Sequence, residues 1–265
     1  MTALTTTLNR SWTDSATMLR RNLRHALRYP AMTGSTVMVP VIILLLFVGV
    51  LGDTLRAGLG VRAAGGYIGY VTPGIILISV AASCVATSVA VCVDVTGGIV
   101  DRFRTMPISR SALLTGHVLG SVIQTAVSLV LVTAVAVLLG FRPHGEPLGW
   151  LAAAGLLLLL SFALTLLAVL IGLTSRNPES ASNRPLIIQL LPLVSSAFVP
   201  TDAMPTGVRW FAENQPFTAL IEATRALLLG TPVGTHAVVA VCWCLAIAAA
   251  GFLGSRVAFN RPRAA

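Results

Sequence analysis

The chain has 265 residues, of which 55% are hydrophobic and only 10% charged, and its formal net charge is +9. A soluble domain of this length carries roughly 25% charged residues, so the composition excludes an ordinary soluble protein and predicts an all-α polytopic membrane protein. All 18 basic residues are arginine. Without lysine the chain can form neither an ordinary Walker A site for ATP nor a lysine Schiff base.

Residues 1–32 are predicted to form a cytoplasmic tail with an amphipathic interface helix. At 100° per residue, Trp12 shares one arc with five later apolar side chains. The adjoining arc carries Arg20, Arg21, Arg24 and Arg28. Such a helix lies in the headgroup plane, with its arginines toward lipid phosphates or a protein partner. The alternative is that these arginines only anchor the chain by the positive-inside rule.

Six membrane spans are predicted from the uncharged runs that follow, because roughly 20 apolar residues cross the hydrocarbon as a helix. They lie near 33–52, 68–93, 113–139, 148–173, 184–202 and 234–256. The fifth is short and is broken by Pro192. Residues 33–265 therefore form one transmembrane domain.

The distribution of arginine predicts the orientation of these spans. With the N-terminus inside, 13 of the 18 arginines and four of the nine acidic residues fall on the cytoplasmic side. Both termini are therefore expected in the cytoplasm. Orientation and anionic headgroups account for the basic charge, so no nucleic-acid partner is needed.

A polar segment, 94–110, separates the second and third predicted spans. It carries five charges, on Asp94, Asp101, Arg102, Arg104 and Arg110. A charge at mid-bilayer costs roughly 2.5–3.5 kcal/mol, so this segment must lie at a membrane surface. The orientation places it on the cytoplasmic side, where a soluble protein can bind it.

The predicted spans contain hydroxyl groups but no central carboxylate, which disfavours a proton- or sodium-coupled transporter. His117 and His236 lie near span ends, where interfacial or core placement is favoured over proton transfer. The small hydroxyl side chains permit either close helix packing or a mildly polar groove. They are Ser79, Ser83, Thr87, Ser88, Ser121, Thr125, Ser128 and Thr133.

Residues 98–110 have the sequence Gly-Ile-Val-Asp-Arg-Phe-Arg-Thr-Met-Pro-Ile-Ser-Arg and are followed by Leu-Leu-Thr-Gly at 113–116. This stretch resembles the signature loop of type-2 ABC exporter permeases, closest to the daunorubicin/doxorubicin-resistance subgroup. In that family the loop is a cytoplasmic coupling helix that docks into a groove on a separate ATPase subunit. Many members begin it with Glu-Arg-Glu, where this chain has Asp94, Val95 and Thr96.

The resemblance implies that the chain is a half-permease with no catalytic residue, cofactor or metal site of its own, and that the partner subunit binds ATP and Mg. Asp101, Arg102 and Arg104 would make charge-assisted contacts with that subunit, to which Asp94 and Arg110 would add. Ile99, Phe103 and Met106 would fill its groove, and Pro107 would end the coupling helix. The alternative is that the arginines of this segment only enforce orientation.

A second match covers residues 197–230, which include Pro-Thr-Asp-Ala-Met-Pro at 200–205 and Glu-Asn-Gln-Pro at 213–216. In the same subgroup this region forms a re-entrant hairpin of short helices that dips into the outer leaflet before the last span, here 203–230. Pro205 and Pro216 suit first-turn positions, and Gly230 suits a C′ cap. Glu222 and Arg225 are i, i+3 partners that can neutralise each other, and Glu213 is counted with them among the hairpin residues. The alternative is an external loop of two surface helices.

The expected function is that of the permease subunit of an ATP-driven exporter, not an enzyme, in the bacterial cytoplasmic (inner) membrane. Its expected partners are a cytosolic ABC ATPase subunit, a second permease copy or a sibling permease, membrane lipid, and an amphipathic drug-like or lipid cargo. A drug and a lipid cargo both stay open at this point, as do a homodimer and a heterodimer. The rival interpretation is a non-transporting membrane scaffold that displays a basic loop to a soluble partner.

Overall fold

The computed structural model describes residues 30–50, 52, 66–97 and 110–260, and every regular element within these ranges is helical. The long helices are α1 (Pro30–Leu45, continued by a π-helical turn, Leu46–Val50), α2 (Gly66–Thr96), α3 (Arg110–Leu138), α4 (Pro147–Thr174) and α9 (His236–Asn260). The short ones are α5 (Pro178–Asn183), α6 (Leu186–Leu190), α7 (Thr206–Asn214) and α8 (Pro216–Leu229). Two 3-10 turns, Leu191–Val194 and Thr201–Ala203, lie between α6 and α7.

Within the described residues, four helices are long and apolar enough to cross a membrane, namely α2, α3, α4 and α9. Their bounds lie within four residues of the second, third, fourth and sixth predicted spans. The first predicted span corresponds to α1 and its π-helical turn, whose described apolar part, Met38–Val50, is shorter. The amphipathic helix predicted in residues 1–32 lies outside the described residues, apart from the start of α1.

Helices α2, α4 and α9 run parallel to one another. The Cys84 thiol of α2 donates to the Leu164 carbonyl of α4 at 3.5 Å. Further along both helices, Cys92 donates to Ser175 at 3.9 Å. On α9, the Ser255 hydroxyl donates to the Leu166 carbonyl at 3.5 Å. Gly251 lies against Leu166 and Leu167, and Gly254 lies against Leu170, so residue numbers rise together along α4 and α9. The C-terminal ends of α2 and α4 lie at one end of the molecule, which we call the loop end. We call the opposite end the hairpin end.

The fifth predicted span, 184–202, is not one continuous helix. It contains α6, the 3-10 turn around Pro192 and irregular turns, because proline cannot continue the helical hydrogen-bond pattern. The segment nevertheless follows α2 from the loop end to the hairpin end. Ala181 accepts a hydrogen bond from Ser88, whereas Ser196 lies beside Tyr70, about 27 Å away along α2 at 1.5 Å per residue. The six-span layout is therefore not confirmed as six long helices.

Residues 203–230 contain the two short helices that the sequence predicts, α7 and α8, with 9 and 14 residues. Pro216 occupies the first position of α8, and Gly230 ends it with a positive φ of 71°, which glycine adopts without strain. Pro205 immediately precedes α7. The Gly145 N–H donates to the Leu228 carbonyl at 3.0 Å and fixes α8 to the start of α4.

Candidate functional site

Asp94 and His117 are in contact near the end of α2 and the start of α3, which flank the 98–109 segment. Asp94 is the third residue from the end of α2, and His117 is the eighth residue of α3. His117 Nε2 lies 2.9 Å from Asp94 Oδ2, and the two residues are only 7% and 8% exposed. A buried carboxylate needs such a partner, because its desolvation is otherwise costly. The pair therefore joins the two helices at the base of the 98–109 segment.

Two hydroxyl contacts continue this junction toward the hairpin end. Thr87 Oγ1 lies 2.7 Å from Ser121 Oγ, and Ser79 Oγ lies 2.9 Å from Ser128 Oγ. In the three contacts, from the Asp94–His117 pair toward the hairpin end, the α2 residue number falls while the α3 residue number rises. The two helices are therefore antiparallel. We call these two contacts, together with the Asp94–His117 pair, the polar ladder.

Helix α4 also contacts the polar ladder. The Thr165 hydroxyl donates to Ser121 Oγ at 3.3 Å and to the Ser161 carbonyl at 2.7 Å. Thr125 is buried on α3 between the two hydroxyl contacts, and its hydroxyl has no partner among the described residues. Most of the hydroxyls noted in the sequence are thus used in contacts between helices, which indicates close packing rather than a polar groove.

Arg225 forms a second polar cluster at the hairpin end. This residue is 7% exposed, and its Nε and Nη2 donate to the Tyr70 carbonyl at 3.1 and 2.9 Å. Nη2 also donates to the Ser196 carbonyl at 2.8 Å. The expected pair with Glu222 is present, with Nη1 2.6 Å from Oε1. Arg225 therefore joins α8 to α2 and to the 195–200 segment.

Comparison with known proteins identifies the family. Residues 14–229, from ahead of α1 to the end of α8, match the family described as ABC-2 type transporter. The chain belongs to this family. Its span-length apolar helices and this membership make it a multi-pass membrane protein of the ABC permease class.

Named relatives of this ABC-2 chain are drug-resistance permeases. The daunorubicin resistance ABC transporter permease protein DrrB1 of Streptomyces coeruleorubidus is 29% identical over 232 residues, 87% of this chain and 77% of that protein. The probable doxorubicin resistance ABC transporter permease protein DrrC of Mycobacterium tuberculosis is 23% identical over 150 residues. That match covers 57% of this chain and 54% of the relative.

Most predicted coupling residues of this ABC-2 chain lie outside the described residues. Asp94 has a described side chain, and Arg110 begins α3 with only its backbone described. The others, Ile99, Asp101, Arg102, Phe103, Arg104, Met106 and Pro107, fall in the undescribed 98–109 segment. The interface-helix residues Trp12, Arg20, Arg21, Arg24 and Arg28 also lie outside the described residues. Both sets of assignments stay predictions.

On the exposed side of α7, Arg209 bridges two carboxylates. Its Nη2 lies 2.9 Å from Asp202 Oδ1, and its Nε donates to Glu213 Oε1 at 2.7 Å. The hydrogen bond to Glu213 and the charges of both carboxylates raise the pKa of the Arg209 guanidinium above its ordinary value. Exposed pairs of this kind contribute little to stability. They keep the polar face of α7 charged while Trp210 stays exposed beside it.

The sequence did not predict the contact of His117 with Asp94 or the backbone acceptors of Arg225 in this ABC-2 permease. His117, for which interfacial or core placement was expected, is buried, but its contact with Asp94 was not predicted. The only signal was a carboxylate near the end of one span and a histidine near the start of the next. The Tyr70 carbonyl had no sequence signal, because a backbone acceptor 155 positions from Arg225 is visible only in the fold.

Proposed function

We propose that this chain is the permease subunit of an ATP-driven exporter that moves an amphipathic drug-like or lipid molecule outward across the bacterial cytoplasmic membrane. The observation that carries the proposal is the ABC-2 family match over 14–229, which includes the whole 94–110 segment. The names of the two relatives, which specify daunorubicin and doxorubicin resistance, favour an amphipathic drug-like cargo.

In the proposed mechanism, ATP binding and hydrolysis take place on a separate ABC ATPase subunit, and this chain converts its movement into a rearrangement of the spans. The 94–110 segment contains the coupling helix that docks on the ATPase. Asp101, Arg102 and Arg104 make charge-assisted contacts, while Ile99, Phe103 and Met106 fill the groove. Pro107 ends the helix ahead of α3. A second permease copy or a sibling permease completes the path.

The proposed topology has six crossings with both termini in the cytoplasm. Support comes from the parallel directions of α2, α4 and α9, because the chain must return to the hairpin end between α4 and α9. The 184–202 segment makes that return along α2 and thus serves as the fifth crossing. Arg184, whose Nη1 donates to the Thr174 carbonyl at 3.4 Å, lies at the loop end. The positive-inside rule assigns the loop end to the cytoplasm.

We propose further that α7 and α8 form a hairpin that enters the outer leaflet. Two features support this placement. The pair of Glu222 and Arg225 neutralises the charges on α8. The exposed Trp210 and Phe211 of α7 suit the membrane interface, where amphipathic aromatic rings are enriched.

The function can be tested by purifying the tagged full-length chain from native membranes and reconstituting whatever complex it forms into liposomes. The probes are daunorubicin and a fluorescent phospholipid. An exporter subunit co-purifies with an ABC ATPase, and the complex moves at least one probe at the expense of ATP. A chain that co-purifies with no ABC ATPase and moves neither probe would instead be the non-transporting scaffold.

The role of the coupling segment is tested by a charge reversal that keeps the net charge. In the double variant Asp101→Arg with Arg102→Asp, probe-stimulated ATP hydrolysis should be lost while the membrane topology stays that of the wild type. The matched control is Asp202→Asn, which removes one exposed contact of Arg209 near α7. Normal coupling in the charge-reversed complex would show that these charges serve only to orient the chain.

A further inference from the structure

We propose that Asp94 and His117 are a positioning pair, which makes α2 and α3 move as one body when the ATPase moves the segment between them. The inference rests on the proposed function, since it concerns how the coupling segment transmits movement. It concerns contacts inside the permease, between α2 and α3, rather than contacts with the ATPase.

The pair lies at the base of the coupling segment. Both helices that flank the coupling segment are described up to its base, and Asp94 and His117 lie closer to it than the other two contacts of the polar ladder. The Thr87–Ser121 contact lies about 10 Å further along α2, and the Ser79–Ser128 contact about 12 Å beyond that. The three contacts thus hold α2 and α3 together over about 22 Å, beginning at the base of the segment.

The hydrogen bond of the pair can hold the two helices in a fixed relative position. A hydrogen bond from an imidazole N–H to a buried carboxylate is charge-assisted and therefore stronger than one between two hydroxyls, and it fixes the direction of approach. With the pair in place, a displacement of either end of the segment is passed to both helices. Without it, the next contact of the polar ladder is Thr87 with Ser121, and the last turns of α2 are held less firmly against α3.

Neighbouring contacts give α2 a second support at the same level. The Ser88 hydroxyl donates to the Ala181 carbonyl of α5 at 2.9 Å, and Cys92 donates to Ser175 at the end of α4. Helix α2 is therefore held against α4 and α5 independently of α3. Loss of the Asp94–His117 pair should consequently leave the rest of the fold in place and change mainly how α3 follows α2.

The test uses the complex of the full-length chain with its co-purified ATPase, and three variants of the pair. Asp94→Leu and His117→Leu each break the pair, because leucine has no hydrogen-bonding group, and the double variant Asp94→His with His117→Asp exchanges the partners. Ser182→Ala is the matched control, because it removes a hydroxyl hydrogen bond to Glu179 within α5 at the same end of the molecule. The readouts are the ATPase retained, basal ATP hydrolysis, daunorubicin or phospholipid moved per ATP, and Tm.

We expect the single variant at His117 to retain the ATPase and basal hydrolysis, because it changes none of the residues that are predicted to dock on the ATPase. Cargo moved per ATP should fall about tenfold, the factor that corresponds to 1.4 kcal/mol of coupling energy. The exchanged variant should recover most of the cargo moved per ATP. Ser182→Ala should move as much cargo per ATP as the wild type. A role in folding alone would lower Tm and the amount of assembled complex but leave cargo moved per ATP unchanged.

The outcomes separate this inference from the proposed function. A wild-type chain without an ABC ATPase, or whose complex moves neither probe, overturns both. A coupled wild type with single variants that move as much cargo per ATP overturns the positioning pair alone. The positioning pair is likewise overturned if both single variants lose the assembled complex and the exchanged variant does not restore it, since the pair would then be needed only for folding.

Discussion

The guanidinium carbon of Arg225 lies 3.8 Å from the centre of the Tyr70 ring, and the same side chain donates twice to the Tyr70 carbonyl. One residue of α8 thus contacts both the aromatic face and the backbone of one residue of α2. The cation–π contact and the hydrogen bonds reinforce each other, because both are strengthened where water is excluded. This cluster fixes α8 to α2 at the hairpin end.

The Arg225→Met variant should therefore lose substantial stability. It leaves the Tyr70 and Ser196 carbonyls without this donor and leaves Glu222 unpaired. Removal of one partner of a buried pair costs about 3–5 kcal/mol, and we expect the lower end because the Glu222 side chain is 31% exposed. The stability of Arg225→Lys should lie between that of Arg225→Met and that of the wild type, because lysine keeps the charge but not the planar guanidinium group. Thermal unfolding of the detergent-purified chain measures this order.

The control for this series is Asp202→Asn, whose side chain is 83% exposed in its contact with Arg209. Exposed ion pairs contribute little to stability, so this variant should unfold at nearly the wild-type temperature. If Arg225→Met unfolded at the same temperature as Asp202→Asn, the cluster would not stabilise the fold.

Two glycines of α4 should respond in opposite ways to alanine. A Cβ added at Gly172 would lie 2.6 Å from the Ser88 carbonyl oxygen and 2.8 Å from Val91 Cβ, so α4 would have to move away from α2. Such overpacking costs about 1–3 kcal/mol. At Gly155 a Cβ meets nothing within 4 Å, and alanine should stabilise the helix by up to about 1 kcal/mol.

Comparison of the Tm values of Gly172→Ala and Gly155→Ala tests this difference within one helix. The expected order is Gly155→Ala at or above the wild type, then Gly172→Ala well below it. An equal Tm for the two variants would contradict the close approach of α2 and α4 at Ser88.

Much of the fold follows from the sequence because long uncharged runs leave few alternatives. The bounds of α2, α3, α4 and α9 were predicted within four residues. The first position of Pro216, the end of α8 at Gly230 and the pairing of Glu222 with Arg225 also follow from local rules. Each of these features depends only on residues a few positions apart.

Features that depend on how helices meet were not predictable in this way. The Asp94–His117 contact requires the register of α2 against α3, and apolar runs alone do not fix it. The sequence predicted the interruption at Pro192 but not the turns that replace a fifth long helix. The contacts of Arg225 with Tyr70 and Ser196 bring together three separate parts of the chain. Local spacing carries no information on such contacts.

The Ser79–Ser128 contact of the polar ladder should have a measurable but small coupling energy. The two hydroxyl oxygens are 2.9 Å apart, and both residues are buried. Hydrogen bonds between membrane helices average about 0.6 kcal/mol in double-mutant cycles. Ser79→Ala, Ser128→Ala and the double variant, unfolded reversibly in mixed micelles, should give a coupling of this size. Strict additivity of the two single changes would show that the hydroxyls do not interact.

Two buried threonines, Thr125 and Thr165, differ in their hydrogen bonds. Thr125 is 2% exposed, and its hydroxyl has no partner among the described residues, so burying that hydroxyl is uncompensated. Valine has nearly the same shape without the hydroxyl, and Thr125→Val should raise the unfolding free energy by about 1 kcal/mol.

Thr165→Val is the matched control, because the Thr165 hydroxyl donates to both the Ser161 carbonyl and Ser121 Oγ. The same substitution there should lower the unfolding free energy by about 0.5–1.5 kcal/mol, since it removes formed hydrogen bonds. Reversible unfolding in mixed micelles measures both changes on one scale. The two changes in unfolding free energy should have opposite signs, because the substitution is the same at both positions and only the hydrogen-bond partners of the hydroxyl differ. If Thr125→Val were destabilised as much as Thr165→Val, the Thr125 hydroxyl would have to be hydrogen-bonded in the folded protein.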